Sequence, residues 1–245
     1  MMSSASPQRP ELSIVVLCYR SEERIIPYLE QMERELVDAG VQDYELVLVG
    51  NYFPGSIDRT PDIIKRLAEQ KAQVVPVVLE KQGMMGWDVI TGLKQARGEA
   101  IALIDGDGQM PSKDIVRLYQ VLKSGEFDFV KTYRVKRLDG SHRRIMSRWY
   151  NLLFHLLFPG TLFRDINSKP KLFTKEALSR LDLECKGWFS DGEIMLNVSR
   201  LNLSFAEIPT VFYPHEWRAS FVDISAVVEM IGYMVLYRVK YWLGK

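Results

Sequence analysis

Ala100-Ile-Ala-Leu-Ile-Asp105-Gly-Asp107-Gly-Gln109-Met-Pro111 is the stretch whose reading decides the fold. An apolar run too short for a helix stops at two carboxylates, separated and followed by glycine, the pattern of a buried strand running into a polar turn. In open α/β sheets ligands gather outside the carboxyl ends of strands. Two carboxylates placed there have the hard oxygen chemistry that holds a divalent cation together with phosphate, and the glycines let backbone and ligand approach closely. A plain surface turn is the competing reading, because Asp and Gly are common in turns. The preceding strand and Gln109 favour a site.

Toward the N-terminus the same alternation repeats. Leu12 to Leu17 is an apolar strand, followed by a helix opened by Ser21, Glu22 and Glu23 that carries Ile25, Leu29, Met32 and Leu36 on one face and ends at Gly40. Tyr44 to Val49 is a second strand, and Thr60-Pro61 reads as an N-cap with the first residue of a helix holding Ile63, Ile64 and Leu67. Gln73 to Leu79 is a third strand, placed at an edge or a bulge by Pro76. Gly86 to Ala96 is helical. Four strand and helix alternations predict a mostly parallel sheet wrapped by helices.

Beyond Pro111, Ser112 starts a helix with Ile115, Leu118, Tyr119 and Leu122, and Phe127 to Tyr133 is a strand. Lys131, Arg134, Lys136, Arg137, Arg143, Arg144 and Arg148 then crowd together with Asp139 as the one acid among them. Such a run is either a solvated face or an anion pocket, for which Arg forks are well suited. Trp149 to Phe158 is helical up to Pro159-Gly160, and Asp165 to Lys171 is a polar loop. Asp191 and Glu193 precede a helix and either favour its start or serve as acid or base. Leu203 to Phe212 reads as paired short strands around Pro209. Ile224 to Trp242 is an apolar helix interrupted by Glu229, Arg238 and Lys240, suited to a membrane interface or to docking on the domain or a second subunit.

At 245 residues with a formal net charge of +1, the chain can bury a full core, and its bulk charge says nothing of partners. Cys18 and Cys185 are distant in sequence and fit a reducing compartment. His142, His155 and His215 lack ligand spacing, which argues against zinc. Residues 1–10 read as a flexible tail, 11–222 as one domain and 223–245 as the helical extension. No apolar run reaches the roughly 18 residues of a membrane span.

Assembled, these residues make the chain similar to the family 2 glycosyltransferases of GT-A fold, in the branch of dolichyl-phosphate mannose synthase and bacterial polyprenyl-phosphate sugar transferases. The likeness rests on Tyr19 and Glu22 after the first strand, Asp58-Arg-Thr60, Gly83 to Gly98, and Asp105-Gly-Asp107-Gly-Gln109. It implies an α/β, Rossmann-like GT-A domain with a C-terminal amphipathic helix. It further implies Mg²⁺ or Mn²⁺ held by Asp105, Asp107 and Gln109, and a GDP- or UDP-sugar donor contacted by Tyr19, Glu22, Asn51, Asp58, Asp105, Gln109, Arg218 and Ser220. Arg134, Arg143 and Arg144 fall where such enzymes face an acceptor phosphate, and Asp165 matches the acid opening their Asp-x-x-x-Gly-Phe-Arg loop.

Three departures stand out. Gly50-Asn51 and an inserted Tyr52-Phe-Pro54 replace the usual acidic pair for the nucleoside. Lys169-Pro170-Lys171 replaces Gly-Phe-Arg. The Gln-x-x-Arg-Trp of processive synthases is absent, which disfavours long-chain polysaccharide synthesis. The expected activity is therefore inverting transfer of a sugar to a polyprenyl phosphate, in the cytoplasm or peripherally on the cytoplasmic face of the membrane, with no nucleic-acid partner and with a homo-oligomer allowed. A hydroxyl acceptor is the alternative and needs a base from Asp165, Asp191 or Glu193. A nucleotide-sugar-binding protein without turnover is the second alternative.

Overall fold

The structure, a computed structural model, describes residues 9–214 and 224–242. Seven strands form one sheet: β1 (Leu12–Leu17), β2 (Tyr44–Val49), β3 (Val74–Val77), β4 (Ala100–Asp105), β5 (Phe129–Arg137), β6 (Lys171–Thr174) and β7 (Phe205–Phe212). Their spatial order is β3-β2-β1-β4-β6-β5-β7, parallel except for β6, which runs against both neighbours. Every residue of β1 is buried. That explains its unbroken apolar run, since helices cover both faces of such a sheet.

Helix α1 (Ile25–Asp38), preceded by a 3-10 turn over Glu22–Arg24, lies with α2 (Thr60–Gln70) and α4 (Lys113–Leu122) on one face. There Ile25, Leu29, Ile63, Ile64, Ile115 and Leu118 meet Leu12, Ile14 and Val16 of β1. The opposite face carries α3 (Met85–Gln95), α5 (Ser141–Leu157), α6 (Lys175–Ser179), α7 (Ser190–Arg200) and α8 (Ile224–Trp242), whose Val89, Phe154, Ala177, Ile194 and Met234 pack with Val15, Leu17 and Phe173. The alternation of Val15 and Val16 between two cores follows from the two-residue period of a strand.

Several local expectations change. Leu203 to Phe212 is no hairpin: β7 is a single edge strand parallel to β5, where the missing N–H of Pro209 interrupts no central ladder. Ser21 makes no side-chain cap, and α2 begins at Thr60 rather than after it. Helix α5 begins at Ser141 rather than at Trp149, so Arg143, Arg144 and Arg148 sit on a helix. Pro76 does lie in an edge strand.

The choice left open for the last helix resolves into docking with an apolar face to spare. Ala226, Met230 and Met234 of α8 are buried, while Val228, Ile231, Val235 and Val239 are exposed. Helix α5 packs against α8 and exposes Ile145, Trp149, Leu152 and Leu156, again at helical spacing. No described helix is long and apolar enough to cross a membrane.

Candidate functional site

Strands β1 and β4 are neighbours, and the chain leaves them toward opposite halves of the sheet, so their carboxyl ends form the crevice where α/β folds bind ligands. Asp105 stands opposite Leu17 in register. The turn after Asp105 is pinned by Gly106, whose N–H donates to the Leu17 carbonyl at 2.9 Å. A Cβ there would lie 3.0 Å from that oxygen and 2.8 Å from Ile25 Cδ1, so the close approach requires glycine. Gly108 has φ +72°, and Asp107 Oδ1 accepts the Gln109 N–H at 3.0 Å, closing an Asx turn.

The Asp105 side chain is left 34% exposed, and Asp107 is half-buried. Two accessible carboxylates on one turn fit a hard divalent cation that fills its remaining positions with water and phosphate oxygens. Among the described residues no three His, Cys, Asp or Glu side chains converge to form a protein-only cage. Gln109 is buried, its amide donating to the Tyr213 carbonyl at 3.0 Å while the Tyr213 N–H returns to the Gln109 carbonyl at 2.9 Å. Arg218 and Ser220, expected near the diphosphate, lie outside the described residues, as does His215.

Among the residues expected to face a donor, Asp58 accepts from the Arg20 N–H at 3.2 Å, from the Thr60 N–H at 3.0 Å and from the Thr60 hydroxyl at 2.6 Å. The Glu22 N–H reaches the Thr60 hydroxyl oxygen at 2.9 Å, so the loop after β1 is tied to the start of α2. Tyr19 meets Phe53 edge to face with centroids 6.5 Å apart, and the Lys81 ammonium lies 4.3 Å from the Tyr19 centroid. Lys81 is itself paired with buried Asp88. Asn51 is fully buried: its amide donates to Asp88 and Thr91 at 2.9 Å each, and its oxygen accepts the Leu79 N–H at 2.9 Å. Those bonds leave Asn51 nothing to offer a nucleoside; Tyr19 and Phe53 are the half-buried groups beside it.

Behind Asp105 sits a row of buried charges. Lys169 Nζ lies 2.9 Å from Asp191 Oδ2 and 3.3 Å from Asp105 Oδ1, and Lys171 Nζ lies 2.5 Å from Asp191 Oδ1. Burial pushes the Asp191 carboxyl up, but the two ammonium groups outweigh it and hold the acid below its ordinary range. The opposite balance acts on the lysines. Burial lowers Lys169, yet Asp105 and Asp191 more than compensate and raise it, whereas burial and the neighbouring cations bring Lys171 down to about 7.

The basic stretch builds a second feature at the same end of the sheet. Register places Lys131 of β5 beside Lys171 of β6, and Lys171 beside Leu103 of β4, so Arg134 stands near the level of Asp105. A cavity of about 330 Å³ is lined there by Arg134, Lys136, Arg137, Arg144, Arg148 and Arg164. Two of these charges are neutralised internally, Arg134 by Asp165 and Arg137 by Asp139. Lys136, Arg144, Arg148 and Arg164 have no ion-pair partner among the described residues, which leaves the cavity positive. Arg143 pairs with Asp139 at 3.6 Å. Lys131 does not line the cavity but lies behind it, fully buried and bonded to Glu207 and to the Thr132 and Asp165 carbonyls.

Asp165 is likewise held below its ordinary range, because the Arg134 charge and hydrogen bonds, with Lys131, outweigh the effect of burial. Glu193 differs. Burial raises it against bonds from Tyr237 and the Glu184 and Cys185 N–H groups. It joins α7 to α8.

Lys169, Lys171 and Arg164 are the functional candidates that sequence reasoning passed over. The one available signal was the Lys-Pro-Lys placed where Gly-Phe-Arg is usual.

The model of Glycosyl transferase family 2 matches residues 13–181. Among curated relatives, an undecaprenyl-phosphate 4-deoxy-4-formamido-L-arabinose transferase of Pseudomonas aeruginosa is 31% identical over 142 residues, 58% of this chain and 40% of the relative. The low-salt glycan biosynthesis hexosyltransferase Agl6 of Haloferax volcanii is 26% identical over 226 residues, 90% of this chain and 52% of the relative. The chain thus spans about two fifths to one half of the length of these relatives. In fold it resembles glucosyl-3-phosphoglycerate synthase from Mycobacterium tuberculosis, solved with Mn²⁺, uridine-diphosphate and phosphoglyceric acid. The TM-score is 0.68 at 20% identity, covering 94% of this chain and 78% of that one.

Proposed function

The chain belongs to glycosyl transferase family 2, and we propose that it is a metal-dependent, inverting glycosyltransferase that moves a sugar from a UDP- or GDP-sugar to a polyprenyl phosphate. The observation that carries this reading is the placement of the Asp105-Gly-Asp107 turn and the arginine-lined cavity at the same end of one sheet. One provides for a cation and a diphosphate, the other for a second anion.

Asp105 and Asp107 hold the Mg²⁺ or Mn²⁺ in this reading. When bound, the cation neutralises charge that builds on the departing diphosphate. The half-buried rings of Tyr19 and Phe53, with Asp58 and Glu22 on the adjoining loops, line the donor side. Arg144, Arg148 and Arg164 hold the acceptor phosphate and orient one oxygen toward the anomeric carbon. That oxygen is anionic near neutral pH and attacks without a strong base.

This last point favours a phosphate over a hydroxyl acceptor. A hydroxyl must lose its proton to a carboxylate, and the two buried carboxylates expected to serve are depressed by ion pairs, Asp165 with Arg134 and Asp191 with Lys169 and Lys171. A carboxylate so held is a weak base. Glu193 binds Tyr237 at the contact of α7 with α8. Transfers performed by the undecaprenyl-phosphate relative support the same acceptor class. The exposed apolar faces of α5 and α8, bordered by Arg143, Arg144 and Arg148, support peripheral attachment to the cytoplasmic face of a membrane.

The test is product analysis. Purified protein is incubated with Mn²⁺, a panel of UDP- and GDP-sugars, and either a short polyprenyl phosphate or saccharide acceptors, and products are identified by mass spectrometry and anomeric NMR. A glycosyl phospholipid of inverted configuration is the expected product. Transfer to saccharide hydroxyls alone, or nucleotide binding with no turnover on any acceptor, overturns the reading.

A further inference from the structure

Lys169 is unusual among the buried charges because it bridges the interior to the mouth of the site. Its side chain is 2% exposed, yet its ammonium touches Asp105, which is one-third exposed, at 3.3 Å from Oδ1 and 3.4 Å from Oδ2. Its other partner, Asp191, is buried and is also met at 2.5 Å by Lys171, which is fully buried and anchored to the Ser168 carbonyl at 2.9 Å. Lys169 therefore spans two carboxylates, whereas Lys171 contacts Asp191 alone. What Lys169 adds is a positive charge on the very carboxylate assigned to the cation.

We propose that Lys169 is a positioning residue that holds Asp105 with an internal ammonium group and weakens divalent-cation binding to the free protein, so that cation and nucleotide diphosphate bind together. The proposal rests on the reading of Asp105 and Asp107 as the cation site. Around that site the carboxylates of Asp105, Asp107 and Asp191 are opposed by the ammonium groups of Lys169 and Lys171. The Lys169 ammonium offsets part of the negative charge that would draw a dication out of water, and the strong hydration of Mg²⁺ or Mn²⁺ makes a weakened pull costly. A nucleotide diphosphate brings the missing anionic oxygens. The shorter contact of Lys169 is to Asp191, at 2.9 Å, so Asp105 can pass to a cation without leaving the ammonium unpaired in the interior. The Lys-Pro-Lys segment places Lys171 at the start of β6 and Lys169 two residues before it, which fixes one lysine in the core and lets the other reach Asp105.

The experiment measures free Mn²⁺ by electron paramagnetic resonance during titration of the protein, with and without UDP or GDP. Wild type binds Mn²⁺ weakly alone and more tightly with nucleotide. Lys169→Met binds Mn²⁺ alone about tenfold more tightly, the size expected for removing one nearby positive charge at intermediate dielectric, and gains correspondingly less from nucleotide. Lys169→Arg, which keeps the charge, stays close to wild type. Asp191→Asn moves affinity the other way, because Lys169 then has Asp105 as its remaining carboxylate; a purely structural role for Lys169 gives no such opposite signs. Circular dichroism and thermal melting establish folding, and should Lys169→Met not fold, Lys169→Gln carries the same expectation. If the neutral variant binds Mn²⁺ no more tightly than wild type, while Asp107→Asn abolishes wild-type binding, the role of Lys169 is overturned and the cation site stands. If wild type binds no Mn²⁺ under either condition, or Asp107→Asn binds as wild type does, the site reading falls and the proposal with it.

Discussion

Arg134 and Asp165 grip each other through two hydrogen bonds, Nε to Oδ2 at 2.6 Å and Nη2 to Oδ1 at 2.7 Å, with each side chain only 8% exposed. The pair fastens the loop before β6 to β5 and forms one wall of the basic cavity. Removing one partner strands the other in the interior. Arg134→Ala is expected to destabilise the fold by about 3 to 5 kcal/mol, read as a lower urea midpoint with unchanged slope. A loss below about 1 kcal/mol would mean that the pair is solvated in solution.

Acid should unfold the protein through the same carboxylates. Asp165 and Asp191 lie below their ordinary value of 3.8 in the folded state. In the unfolded chain they titrate near that value, so below it the unfolded state binds more protons and stability falls with pH. Their contribution is complete above about pH 5 and is lost as pH drops through the folded-state values. Thermal melts between pH 6 and 3 should show a steep decline in wild type. Asp165→Asn, less stable throughout, should show a shallower one.

Asp107→Asn tests the carboxylate turn after β4. Its side chain is half-buried at a strand end, so the apo protein should melt within a degree or two of wild type, in keeping with about 0.5 kcal/mol for a surface change. Transfer, however, should fall about a hundredfold or more if the cation supplies several kcal/mol of leaving-group stabilisation. Stabilisation by Mn²⁺ with nucleotide should vanish alongside it.

Arg144 and Arg148 are exposed on α5 and line the cavity without an acidic partner among the described residues. Arg144→Ala is expected to leave stability unchanged and to raise KM for polyprenyl phosphate about tenfold, with KM for the nucleotide sugar unmoved. The Arg144→Ala, Arg148→Ala double variant should lose most of the salt dependence of that KM. Unchanged lipid-phosphate kinetics would remove the support for the acceptor assignment.

Surface attachment is read by co-sedimentation with vesicles containing anionic lipid. Trp149→Glu with Leu156→Glu replaces two exposed side chains, at 64% and 75%, without touching the core. Bound fraction should fall at least about fivefold with no change in melting temperature, since each lost apolar contact with lipid is worth on the order of 1 to 2 kcal/mol. Equal sedimentation of the double variant would exclude these faces as the contact.

The alternation of strands and helices, the parallel sheet and the carboxylate turn after β4 were legible in the sequence because each is written in short-range periodicity and turn chemistry. The start of α5 was obscured by Arg143, Arg144 and Arg148, which carry no apolar signal, and Pro209 suggested a break where an edge strand tolerates one. Arg134 and Asp165 were both picked out, yet nothing in their spacing said that they would hold each other.

By itself, then, the sequence determined the strands and helices as far as Leu122 and where the acidic turn lies, since those depend on neighbours a few positions apart, but it did not reveal β6 or α6 and misread β7 as a pair. Only the tertiary structure decided that Asn51 is sealed inside a hydrogen-bond network, that Lys169 reaches both Asp191 and Asp105, and that Arg134 is neutralised by Asp165. A lysine or an aspartate has the same local signature in water and in a core. Its charge state, its partner and hence its use are set by desolvation and by contacts between segments that meet only when the sheet has assembled.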